Sequence, residues 1–79
     1  MSRQNIENTI KSYDQLGHDR FMDVNQITRD AINTYIVYNN GRYPLKMIYS
    51  VAMNISVNEF TTYQAIPEIE RWGFEIVRI

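Results

Sequence analysis

The sequence contains no cysteine, and His18 is its only histidine. A disulfide framework is therefore excluded, as is any thiolate metal site. Zinc needs three or four nitrogen or sulfur ligands, so a single imidazole gives no metal centre. A serine or threonine nucleophile needs an oriented base, and His18 opens a charged stretch to Phe21 that reads as a linker. Glycine and proline are scarce, and neither glycine-rich phosphate motif occurs. Glu68 and Glu70 are two apart, so on a helix they face different ways and make no acid/base pair. With these constellations missing, the chain is expected to be neither an enzyme nor the holder of a cofactor.

A surplus of positive charge is also missing: eight basic residues stand against nine acidic ones, for a formal net charge of -1. Any contact with nucleic acid must come from a local patch, because bulk charge supplies no counterion release. No window approaches the roughly 18 apolar residues of a membrane span, and the N-terminus lacks the apolar stretch of a signal peptide. Cytoplasm is the expected compartment. What is present is 44% hydrophobic and 13% aromatic residues, enough for one core in a chain of 79 residues. A single domain over 1–79 is expected, and the richness in Asn, Ile and Tyr points to an AT-rich genome of the bacteriophage kind.

Along the chain, Ile6, Ile10, Tyr13 and Leu16 recur at helical spacing and Gly17 can end the helix, giving an N-terminal helix over 1–17. Asp23 and Gln26 have the spacing of a capping box, with Met22 placed to staple onto Ile27. Val24, Ile27, Ala31, Tyr35 and Tyr38 continue one stripe, widened by Ile32 and Ile36, so a second helix is expected from Asp23. The run Thr34 to Tyr38 is also rich in strand formers, and Asn40-Gly41 is a strong hairpin signal, so a β-hairpin near residues 34–45 is the alternative.

Pro44 suits the first turn of a third helix, whose face is Leu45, Ile48, Tyr49 and Ala52 and whose stop is Asn54. Ser56 and Glu59 form a second capping box, with Ile55 and Phe60 as its staple. The fourth helix should run from about Val57 to Ala65 and break at Pro67, with a turn to Trp72 closed by Gly73. The tail from Phe74 to Ile79 reads as a strand, whose partner must be the Arg42-Tyr43 region or the N-terminus. The expected fold is mainly α, a small helix-turn-helix domain with one short C-terminal strand, and α+β if the hairpin forms. Its core should hold Ile27, Ala31, Tyr35, Leu45, Ile48, Ala52, Ile55, Phe60 and Ile69.

Residues Leu45 to Val77 resemble the helix-turn-helix core of winged-helix proteins, with the core proper over 44–73. Ser50, Asn54, Ile55 and Phe60 stand where that family sets the angle between its helices, and Ile69, Glu70, Gly73 and Phe74 match its usual approach to a strand. The resemblance implies a small, dimeric, DNA-binding regulator of transcription that lays its fourth helix in a major groove. Under that reading Arg42 and Lys46 hold phosphates, and Ser56, Asn58, Thr61, Thr62 and Gln64 face bases or phosphates. The carboxylates Glu59, Glu68 and Glu70 oppose it unless they turn away. The alternative is a phage-type inhibitor or adaptor that docks on a host enzyme or polymerase. Tyr43, Tyr63 and Trp72 are the candidates for such a protein contact, while Tyr13, Tyr35 and Tyr49 fall on the apolar stripes and are assigned to the core.

Overall fold

The computed structural model describes residues 2–27 and 33–78. Helix α1 (Ser2–Leu16) buries Ile6 and Ile10 and ends at Gly17, whose N–H donates to the Tyr13 carbonyl and whose positive φ turns the chain out of the helix. Helix α2 (His18–Val24) begins at once, so the stretch read as a linker is helical. Phe21 accounts for this. Its ring is fully buried, edge-on to Tyr13 at 5.1 Å, and the Tyr13 hydroxyl shares a 2.7 Å hydrogen bond with His18 Nδ1.

The expected long helix from Asp23 does not form, because Asp23 to Gln26 is a helix end. Gln26 N–H donates to the Asp23 carbonyl and Ile27 N–H to the Met22 carbonyl, with Gln26 left-handed at φ 58. These paired bonds are a Schellman motif, which carries the buried Ile27 back onto the core. Ala31 and Ile32 lie outside the described residues. Thr34–Tyr38 is strand β1, and the hairpin alternative is the one that forms. Its turn is Asn39-Asn40, both left-handed as a type I′ turn requires, and Gly41 opens strand β2 (Gly41–Pro44).

Strand β3 (Glu75–Arg78) pairs antiparallel with β1, giving the order β2-β1-β3; its partner is neither the Arg42-Tyr43 region nor the N-terminus. Thr34, Ile36 and Tyr43 are buried on one face of the sheet, while Val37, Arg42 and Glu75 share the other. Tyr35 lies half-buried on that second face and not in the core. The fold is thus predominantly helical, with the expected C-terminal strand completed into a three-stranded sheet.

Helix α3 (Leu45–Met53) follows Pro44 and ends at Asn54, left-handed at φ 57, with a second Schellman pair from Asn54 and Ile55 to Val51 and Ser50. The buried Ser50 hydroxyl donates to the Ile55 carbonyl at 2.5 Å and fixes the turn. Ser56 starts no helix: its hydroxyl accepts the Asn58 N–H and its carbonyl the Glu59 N–H, which closes a local turn. Helix α4 (Thr62–Arg71) starts five residues later on a different box, in which Thr61 accepts the Gln64 N–H and Gln64 Oε1 accepts the Thr61 N–H. Phe60 and Ala65 then occupy the positions of the hydrophobic staple, and both are buried. Pro67 does not break α4. The bond it forfeits is to the Tyr63 carbonyl, in an exposed stretch where solvent replaces it.

Gly73, at φ 92, closes α4 with a third Schellman pair and delivers Phe74 to the core. There Arg3 donates to the Trp72 carbonyl, lies 4.9 Å above the Phe74 ring and pairs with Glu7, tying the start of α1 to the last strand. Of the expected core, Ile27, Leu45, Ile48, Phe60 and Ile69 are buried, and Ala52 and Ile55 pack partly exposed against it.

The left-handed Gln26 has a measurable consequence. An L side chain there costs roughly 1–2 kcal/mol that glycine does not. Gln26→Gly is expected to stabilise the domain by about 1 kcal/mol, less any added freedom of the unfolded chain, read as a rise in urea midpoint. An unchanged or lowered midpoint would show that the Gln26 side chain contributes contacts worth the strain.

Candidate nucleic-acid interface

The candidate surface is built on α3, residues 54–61 and the first turn of α4. Met53 and Thr62 are separated by that whole loop, longer than the three or four residues of a helix-turn-helix turn, so the winged-helix angle residues do not perform the same task here. An aromatic file holds the region together. Phe60 lies 4.9 Å from the Tyr49 ring, and Trp72 stacks on Tyr49 at 6.4 Å with a 12° interplanar angle. Lys46 extends over Phe60, its Nζ 5.6 Å from the ring, which sets a cation beside the loop that carries Asn58.

The predicted nucleic-acid residues divide by what occupies them. Thr61 and Gln64 bind each other in the capping box, and Ser56 holds the Asn58 N–H. Asn58 is exposed in the loop and Thr62 half-exposed at the start of α4. Arg42 is exposed on β2, on the sheet face opposite Tyr43. Of the three opposing carboxylates, Glu68 turns inward to accept from the Tyr49 hydroxyl, while Glu59 and Glu70 remain exposed.

The protein-contact candidates also separate. Tyr43 is 7% exposed, and its hydroxyl donates to Asp14 at 2.9 Å, so it belongs to the core and offers no surface. It alternates inward because Arg42 takes the outward position of the same strand. Trp72 is half-buried against Tyr49. Tyr63 is 69% exposed, with the Arg78 guanidinium 5.0 Å above its ring and hydrogen-bonded to its hydroxyl.

Three tyrosines present hydroxyls to carboxylates at the edge of the core: Tyr38 to Glu7, Tyr43 to Asp14 and Tyr49 to Glu68. Burial, then the bond to Asp14, raises the Tyr43 phenol, whereas for Tyr38 the bond to Glu7 leads and burial follows. Burial and the Glu68 bond push Tyr49 from 10.0 up to about 12. A phenol raised on folding stabilises the native state below its unfolded pKa and ceases to do so as pH climbs through the folded one. Stability is therefore expected to fall between pH 10 and about 12, with a tyrosinate absorbance step near the upper value that Tyr49→Phe removes. A Tyr49→Phe variant that keeps the upper step and loses absorbance near pH 10 instead would contradict the Tyr49–Glu68 bond.

Sequence reasoning missed a second feature of this region. Asn25, Gln26 and Asn54 line a cleft between the end of α2 and the end of α3. Only Asn54 carried a signal, as a helix stop; Gln26 was assigned to a helix start.

The family defined by the ScoMcrA-like N-terminal head domain matches residues 1–78. The chain belongs to that family. Among solved structures, the type IV phosphorothioation-dependent restriction endonuclease ScoMcrA is similar to this head domain with a TM-score of 0.76 at 23% sequence identity. The similarity covers 98% of this chain and 12% of that one, so the head domain spans a small part of that protein's length. No curated protein matches the chain. Among the described residues, no helix is long and apolar enough to cross a membrane.

Proposed function

We propose that this chain is a DNA-binding head domain that contributes duplex contacts and does not itself cut DNA. The observation that carries the reading is family membership over residues 1–78, together with the solved structure's description as a restriction endonuclease, a class of enzyme whose substrate is DNA. The reading includes no role in regulating transcription. Arg42 and Lys46 supply phosphate contacts, Asn58 and Thr62 approach base edges, and Ser56, Thr61 and Gln64 shape the loop and cap that present them. Glu68 supports this arrangement by facing Tyr49 and not the duplex.

With a net charge of -1 the affinity is expected to be modest. Non-specific binding should be largely lost between about 50 and 200 mM salt. Arg42→Ala and Lys46→Ala should each weaken binding to all duplexes alike and reduce the slope of log affinity against log salt by about one unit. Fluorescence anisotropy with an unrelated pair of labelled duplexes reads both quantities. Slopes unchanged in both variants would place the phosphate contacts elsewhere. Exposed Tyr63 favours a second reading, protein docking, which gains if no duplex binds at low salt and Tyr63→Ala abolishes capture of a protein partner at high salt.

A further inference from the structure

Among the described residues, each helix is followed by a residue of positive φ: Gly17, Gln26, Asn54 and Gly73. Glycine is the ordinary choice at such a position. At Gly17 a side chain would meet no atom within 4 Å, so the glycine there answers to the dihedral alone. At Gln26 and Asn54 a side chain is kept in spite of the dihedral, and these are the two that line a common cleft of about 340 Å³. Asparagine tolerates this conformation, but glutamine gains nothing locally from it. Strain of this kind clusters where a side chain is held for a ligand.

The chemistry of the cleft narrows what fits. Its volume lies at the small end of ligand sites, roughly 300–1,000 Å³. No charged side chain is among the described residues that line it, so those residues suit a neutral ligand better than a phosphate. Ile27, Val51 and Val57 give it apolar walls, and the carboxamides of Asn25, Gln26 and Asn54 give it hydrogen-bonding edges. Acceptors outnumber donors. One N–H of the Asn25 amide is taken by the Phe21 carbonyl, and the Ser50 hydroxyl donates to Ile55, which leaves the Asn25 carbonyl and the Ser50 lone pairs on the acceptor side. The carboxyl ends of α2 and α3 meet at the same place and add to that polarity.

We propose that this cleft binds a nucleobase with an exocyclic amine, taken from DNA, whose flat ring lies between the aliphatic walls and whose amino edge donates to the carboxamides. Carboxamides are the side chains that read an adenine edge, and an extruded base is read by such hydrogen bonds between apolar walls. The source of the base rests on the DNA-binding reading above, while the recognition chemistry stands on the cleft itself.

The test uses the full chain and the side-chain amide resonances of Asn25, Gln26 and Asn54 in a ¹⁵N correlation spectrum. Adenosine and cytidine should shift them with dissociation constants on the order of millimolar. Thymidine and inorganic phosphate should not. Gln26→Gly and Asn54→Gly should abolish the shifts of the remaining amides, with the midpoint raised in the first and not lowered in the second, which separates lost binding from lost folding. No shift with either amino nucleoside, an equal shift with phosphate, or binding intact in Gln26→Gly would overturn the assignment. A duplex bearing 2-aminopurine should brighten on binding as the base unstacks; unchanged fluorescence with the nucleoside shifts present would overturn DNA as the source. Duplex binding without nucleoside shifts defeats the cleft alone. Nucleoside shifts without duplex binding defeat the DNA reading alone.

Discussion

Replacing Phe21 by alanine is expected to destabilise the domain by about 3–5 kcal/mol, the range for deleting a buried aromatic ring. Phe21 is completely inaccessible and meets Tyr13 edge-on, and Tyr13 in turn meets both His18 and Tyr43. The loss would therefore pass from α2 into α1 and the hairpin. Small domains hold only about 5–15 kcal/mol in total, and one of this size sits near the lower end. Urea denaturation followed by tryptophan fluorescence should show Phe21→Ala mostly unfolded at 37 °C. A change below about 1 kcal/mol would mean that α2 does not pack as described, and that the stretch is a linker after all.

The second large effect concerns Phe60, at the junction of the loop and α4. Phe60→Ala should cost about 3 kcal/mol, the low end of the range, because the ring keeps slight exposure at the rim. Tyr49 would lose its contact with Phe60 and keep only that with Trp72 in this aromatic group, and Lys46 would lose the ring it lies over. Phe60→Leu should recover most of the stability by filling the volume, but not the orientation of Lys46. Comparing unfolding free energies of the two variants, with duplex affinity of the leucine variant, separates packing from presentation. Equal stability for alanine and wild type would detach Phe60 from the core and the loop assignment with it.

These residues also show how far the sequence could be read. Helix α1 was legible because Ile6 and Ile10 recur at helical spacing and Gly17 follows them, so pattern and terminator agree. The tetrapeptide Asp23 to Gln26 was not, because an N-cap and a Schellman end both place polar residues three apart. Only the burial of Phe21 and Ile27 on its two sides decides between them. The same ambiguity displaced α4. Ser56/Glu59 and Thr61/Gln64 are both spaced as capping boxes, and the winner is the one that puts Phe60 before the cap and Ala65, Ile69 and Trp72 inward.

The hairpin was legible as an alternative from its strand formers and asparagines, though both left-handed turn positions are asparagine and neither is Gly41. Pairing of the C-terminal strand was out of reach, since Glu75–Arg78 finds β1 only after the intervening helices bring them together. At the candidate interface, residue type identified Arg42, Lys46, Asn58 and Thr62 as available polar groups. It could not show that Tyr43 points inward or that Glu68 is taken by Tyr49, because both follow from tertiary contacts.

DNA binding through α3, the loop and the start of α4 is tested by a ¹⁵N correlation spectrum of the whole chain titrated with a duplex at low salt. Backbone shifts are expected to concentrate over residues 42–46 and 54–62 and to fade as salt rises toward about 200 mM. Shifts that gather instead on Arg78 and the rest of β3, or no shifts at any duplex concentration, would contradict DNA binding through this surface.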